Sequence, residues 1–175
     1  APPPVTPFII PVVFHVINDP NYPTTAKPSY AQIQMQLASL NAAFSNNLNT
    51  LNNVSTGPRA VNTLIQFCLA KKMQVNNIPT AWPTSSVGVI YYSVTNSITT
   101  NVNINSNPSL QSLTNLTSAN FPVNMYLNIY CVPNIATSAN TNINAMPSVI
   151  GIGTFPWMST TPLSGIVMRN DVIGN

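Results

Sequence analysis

The reactions open to this chain are limited by its few reactive side chains. It has one histidine, His15, two carboxylates, Asp19 and Asp171, two thiols, Cys68 and Cys131, and no glutamate. A serine or cysteine nucleophile needs a histidine base held by a third group. With a single histidine and two scattered aspartates, no such triad can be defended. Asp19 and Asp171 are also too few and too far apart in sequence to argue as an acid/base pair. A zinc site closes on three or four nitrogen, sulfur or carboxylate ligands; the cysteines are too few for a Cys-based site and permit at most one disulfide. His15 lies inside the apolar run "VVFHVI", where a histidine reads as a core or sheet-face residue with satisfied ring nitrogens. Arg169 and Asp171 alternate onto one strand face and read as a structural ion pair. Trp82, Trp157 and the Tyr91-Tyr92 pair could form a sugar-binding platform, but aromatic residues of this kind more often pack in the core or at its rim.

The totals tighten these exclusions. The chain has 175 residues, 45% of them apolar, enough for one domain with a hydrophobic core. Only 4% are charged, against about 25% in a typical soluble domain. Asparagine takes much of that place, at about one residue in seven. The net charge of +3 carries no basic run longer than Lys71-Lys72, so nucleic-acid binding, which needs many phosphate-neutralising cations, is set aside. No apolar run of about 18 residues is present to span a membrane. A surface of amides and hydroxyls hardly changes charge with pH and offers little repulsion between copies. That suits an extracellular protein or a subunit that packs against itself. The chain begins with Ala1 and shows no basic-then-apolar leader, as expected of a mature secreted protein. Asn53 and Asn115 stand in glycosylation sequons. No cofactor is expected.

These side chains must be positioned by the following elements. "APPPVTP", residues 1–7, is a polyproline-like arm. "FIIPVVFHVI" is a continuous β-branched run of the kind seen in strands buried on both faces. Ser29-Tyr-Ala-Gln32 is a capping box that opens a helix with Ile33, Leu37, Leu40 and Phe44 on one stripe. "TLIQFCLAKK" alternates as a strand, with Ile65, Phe67 and Leu69 on one face. Residues 73–86 read as an irregular connection, "VGVIYYSV" as a strand or hairpin arm, and 95–120 as a low-complexity insert with one weak helix near 110–116. "MYLNIYCV" is a strand, "NIATSANTNINAMP" a loop, and "VIGIGTFPW" and "SGIVMRNDV" two short strands. Strand, helix, strand is a parallel crossover unit. The expected class is therefore α/β, a single domain over 8–175.

Five of these stretches, "IPVVFHVI", "YAQIQMQLASLNAAF", "IQFCLAKK", "YLNIYCV" and "IGIGTFPW…LSGIVMRNDVIG", in this order resemble the pappalysin-like (cytophagalysin) branch of the metzincin zinc metallopeptidases. They cover most of residues 8–174. The resemblance implies the upper, N-terminal subdomain of that fold: a twisted mixed sheet backed by one or two helices, with an antiparallel edge strand at 149–155. It places Cys68 and Cys131 on strands flanking the first one, which favours two buried thiols over a bridge. In active members a helix carrying H-E-x-x-H-x-x-G-x-x-H follows the "GIVM"-type strand, supplying zinc ligands and the glutamate that activates water. Those residues are not among these 175.

Three functions fit this sequence. The first is a non-catalytic, secreted structural protein that self-associates into a filament or surface layer. In active relatives the edge strand aligns an extended peptide substrate. Here Ile150, Ile152, Thr154 and Phe155 would line that edge, and the arm of a neighbouring copy, Pro2, Pro3, Pro4 and Val5 with Phe8, would add to it as a strand. Arm and edge differ, so such a contact would propagate. The second is the N-terminal part of a secreted pappalysin-like zinc endopeptidase. The third is an adhesive or carbohydrate-binding module using the Asn/Thr-rich loops.

Overall fold

The computed structural model describes residues 6–18, 27–45, 62–75, 78–82, 86–94, 101–103, 121–136, 150–153 and 165–174. Its centre is strand β1, Phe8–Asn18, with Val12 to Ile17 buried without a break. Even-numbered residues of β1 face the helix: Val12, Phe14 and Val16 pack with Ile33 and Leu37 of α1 (Tyr30–Phe44), with Phe67 and with Ile129. Odd-numbered residues face the other way, Val13 toward Ala70 and Phe121, and Ile17 toward Tyr130 and Val167. Burial on both faces is why this segment lacks polar alternation. Each such fully buried Val, Ile or Phe is worth roughly 1.5–3 kcal/mol of transfer free energy.

The expected α/β class and the mixed sheet are what the structure shows. Strand β2 (Ile65–Leu69) pairs parallel with the first half of β1, and β5 (Val89–Ser93) with its second half on the same side. On the other side lie β7 (Leu127–Val132), β10 (Ile166–Arg169) and finally β9 (Gly151–Gly153), the last antiparallel. The path is β2-β1-β7-β10-β9, with β5 off it on β1. Gly88 makes the exchange between β2 and β5 possible. It sits at φ 78°, its carbonyl accepts from Phe14 N, and a Cβ there would lie 2.6 Å from Leu69 Cβ.

Pro11 is tolerated inside a central strand for a reason of register. Phe8 N and Phe14 N both donate toward the β2/β5 side, so odd residues aim their backbone at β7. Pairing with β7 begins only at Val12↔Leu127, so the missing N–H of Pro11 costs no ladder bond.

The capping box forms as read: Ser29 Oγ accepts from Gln32 N at 3.2 Å, and Ser29 N donates to Gln32 Oε1 at 2.9 Å. After β10 the chain makes a 3-10 turn, Asn170–Val172, and returns to the helix: Ile173 is buried in the core and Gly174 N donates to Gln36 Oε1.

Three readings need correction. The stretch taken as irregular contains an antiparallel hairpin, β3 (Lys72–Val75) with β4 (Ile78–Ala81). The low-complexity insert and the loop after β7 each contribute a three-residue strand, β6 (Asn101–Asn103) and β8 (Asn134–Ala136), paired in parallel. The weak helix near 110–116 lies outside the described residues. Between the alternatives for Val89–Ser93, the parallel pairing with β1 decides for a strand and against a hairpin arm. No helix among the described residues is long and apolar enough to cross a membrane.

Candidate functional site

Among the described residues, those with reactive chemistry do not converge. His15 is fully buried on β1. Asn128 Nδ2 donates to Phe121 O at 3.1 Å, which fixes its amide so that Oδ1 faces His15 Nε2 at 3.0 Å. Nε2 therefore carries the proton, and Nδ1 accepts from Tyr92 Oη at 3.1 Å. Tyr130 stacks on the ring at 5.1 Å and Phe121 meets it edge-on at 5.5 Å. Burial lowers the imidazole pKa to about 4, against a smaller raising effect of the Asn128 bond. Burial and, secondarily, Tyr130 hold the Tyr92 phenol above its usual range, so it remains a donor. Both ring nitrogens are committed within the protein, as the sequence reading of a satisfied core histidine expects.

Asp171 lies in the 3-10 turn rather than on the strand face with Arg169. Its carboxylate still receives two bonds from that guanidinium, from Nε at 2.8 Å and from an Nη at 2.6 Å. These bonds hold the carboxyl below its ordinary value, opposed by partial burial. Asp19 lies outside the described residues. Cys131 is buried, its thiol pushed up to about 12 by burial, while Cys68 is only half-buried on the outermost strand of its side. They flank β1 on opposite sides and both are free. Among the described residues no three His, Cys, Asp or Glu side chains come together. One buried, doubly bonded histidine and 175 residues without a glutamate do not fit a zinc-peptidase site.

The candidate site is an edge of backbone. Arg169 N donates to Ile150 O at 3.0 Å, and the register runs Met168↔Gly151, Val167↔Ile152, Ile166↔Gly153. In an antiparallel ladder bonded pairs alternate, so Ile152 is the inward-bonded residue of β9. Gly151 and Gly153 turn their N–H and C=O groups outward, away from β10. Both glycines are exposed, and a Cβ on Gly153 would meet nothing within 4 Å. Ile152 packs its side chain on the Ile17, Tyr130 and Val167 cluster and anchors the strand. Ile150 is 55% exposed beside it. Among the described residues nothing pairs with the outer side of β9.

Of the residues the sequence singled out for assembly, Ile150 and Ile152 lie on this edge. Phe8 is 70% exposed, at the start of β1 three strands away, about 14 Å at ordinary strand spacing. One copy does not bring the two together. Pro2, Pro3, Pro4, Val5, Thr154, Phe155, Asn53 and Asn115 lie outside the described residues. Trp82 packs on Phe121, and Tyr91 and Tyr92 point to opposite faces, the one donating to Pro28 O and the other to His15. Trp157 lies outside the described residues.

The opposite edge carries a feature that the sequence reading missed. The Asn41 carboxamide of α1 acts as one residue of an extra strand: Nδ2 donates to Phe67 O at 2.8 Å and Phe67 N donates to Oδ1 at 2.7 Å. Beside it runs a groove of about 740 Å³ lined by Tyr30, Leu37, Phe67, Cys68 and Trp82 among others. The one signal for this contact was an asparagine on the flank of an otherwise apolar stripe.

No protein family matches this sequence, and no curated protein matches it. The fold does have counterparts. The chain is similar to mirolysin in complex with a compound designated 9, with a TM-score of 0.68 and 21% identity over 98% of this chain and 56% of that one. Mature mirolysin of Tannerella forsythia in complex with a cleaved peptide gives 0.67 and 22% over the same shares. A promirolysin mutant from the same organism gives 0.64 and 23%, covering 98% of this chain and 49% of that one. The likeness is one of fold, to a pappalysin-family metzincin, and the chain spans about half the length of the structures it matches.

Proposed function

We propose that this chain is the non-catalytic, peptide-aligning half of a pappalysin-like metallopeptidase fold, holding an extended polypeptide as an added strand along β9. The observation that supports this is the outward backbone of Gly151 and Gly153, with no Pro or Lys in β9 itself, at the end of a sheet that resembles half of mirolysin. A cleaved peptide occupies one mirolysin structure. Main-chain bonds along an exposed edge give affinity for extended chains with little demand on sequence. Bond cleavage would need metal ligands and a base that these 175 residues do not contain. An extracellular setting suits a surface that is nearly without charge.

A second reading is favoured by Phe8 and Ile9, 70% and 55% exposed on the first turn of strand after the Pro-rich arm. Here the added strand is the arm of a second copy, and the protein is a self-associating scaffold. The test uses two fluorescent peptides, the chain's own residues 1–10 and an unrelated extended apolar decapeptide, against the native chain and Gly153→Pro, with particle mass by light scattering. Binding of both peptides, lost in Gly153→Pro, supports the first reading. Binding of the self peptide alone, with polymers that dissolve when residues 1–7 are deleted, selects the second. Absence of binding to either peptide, with a monomer throughout, overturns both.

A further inference from the structure

The buried imidazole of His15 is used by neither reading. It joins three separate parts of the fold through one directional chain. Tyr92 of β5 donates to its Nδ1, its Nε2–H donates to Asn128 of β7, and Asn128 donates to the carbonyl of Phe121 in the segment leading to β7. We propose that His15 is an acid trigger: proton uptake at this one imidazole releases β5 and the 121–126 segment from β1.

Among the described residues the ring's surroundings are polar but uncharged. The groups facing it are the phenols of Tyr92 on β5 and Tyr130 on β7, the Asn128 amide and the Phe121 ring. No charged side chain among the described residues acts on it, and desolvation is the dominant influence. A proton arriving at Nδ1 would force Tyr92 to reverse from donor to acceptor, which a hydroxyl does by rotating its O–H. The stacked Tyr130 ring would offer the cation some attraction. Neither replaces the hydration lost by a fully buried charge. Relief comes from opening the contacts on the same face, where Phe121, Tyr126 and Ile90 pack beside Val13.

The rest of the chain isolates the effect. Only Asp19 and Asp171 are other side chains that change charge between neutral and strongly acid water. The sign follows from linkage. A group whose folded value lies below its unfolded one favours the closed form above the unfolded value. That advantage is lost as pH falls toward the folded value. For His15 the window runs from 6.5 down to about 4, a loss of about 300-fold in the closing equilibrium.

Because His15 is the one histidine of these 175 residues, its Cε1 proton resonance is unambiguous, and amide exchange reports opening locally. The expected result is a neutral imidazole down to about pH 4 in the closed form. Amides of 89–93 and 121–126 should lose protection by one proton's dependence between pH 6.5 and 4, and His15→Gln should flatten that dependence. An imidazole that titrates near 6.5 with unchanged amide protection overturns the proposal. So does opening that begins only below 3.8, where the carboxylates titrate. If His15→Gln fails to fold, the two wild-type measurements decide alone.

Discussion

The two ends of the sheet solve the same problem in opposite ways. At the β2 end the outward groups of Phe67 are met by the Asn41 amide, delivered by α1 across the edge. At the β9 end the outward groups of Gly151 and Gly153 meet nothing among the described residues. An open strand edge is a hazard that proteins ordinarily blunt with charge, proline or cover. With Phe67 covered, and β9 bare among the described residues, the five-strand path offers strand addition at its β9 end. This is the property that a peptide-aligning half-domain and a propagating scaffold both require.

The largest expected effect concerns the strand exchange that builds the closed end. Gly88→Ala must place a Cβ at 2.6 Å from Leu69 Cβ and hold an L residue at φ 78°. The strained backbone and the displaced β2 together should cost about 3 kcal/mol, read as a lowered urea midpoint. An unchanged midpoint would mean that β2 and β5 do not share the β1 edge this closely.

Asn41→Ala comes next. It leaves the N–H and C=O of Phe67 without their partners, and the loss should be about 2 kcal/mol. A consequence beyond stability is expected: the variant gains a second bare edge, so its particle mass should rise more steeply with concentration than the native chain's. If Asn41→Ala destabilises without new association, the amide serves packing alone and the contrast between the edges weakens.

How far the sequence disclosed this arrangement depends on the range of the interactions. The helix was legible because its cap and stripe are local, and both occur as read. β1 was legible because burial on both faces demands a continuous apolar run. β3, β4, β6 and β8 were not, because strands of three or four residues take their pairing from tertiary neighbours rather than from their own pattern. The strand at 149–155 was expected, and Gly151–Gly153 is the part described. Which of its residues turn outward could be read only from the register. Asn41 reaches 26 positions along the chain, and His15 reaches 77 and 113. No local spacing encodes such pairs. Leu64 differs: held at φ 58°, it donates its N–H to Asn62 Oδ1 only two positions back, a local Asx contact.

The smallest effect is expected where β10 ends, beside the bare edge. Asp171→Asn removes the ion pair with Arg169 but leaves an amide oxygen able to accept from the same guanidinium. Asp171 is exposed, so water screens most of the attraction, and the loss should stay within about 0.5 kcal/mol. Its pH signature differs from that of His15. The Asp171 carboxyl lies below 3.8 in the folded chain, so its contribution is complete above that value and fades as pH falls through the folded one. Wild type and Asp171→Asn should therefore keep a constant small offset in urea midpoint from pH 8 to 4 and converge only below. A convergence that begins near pH 6 would assign to this exposed pair an acid response that the packing around β1 reserves for the buried imidazole. Arg169 also donates its backbone N–H to Ile150. A loss of peptide binding at β9 in Asp171→Asn would mean that the guanidinium orients that strand, making the open edge depend on a side chain as the closed edge depends on Asn41.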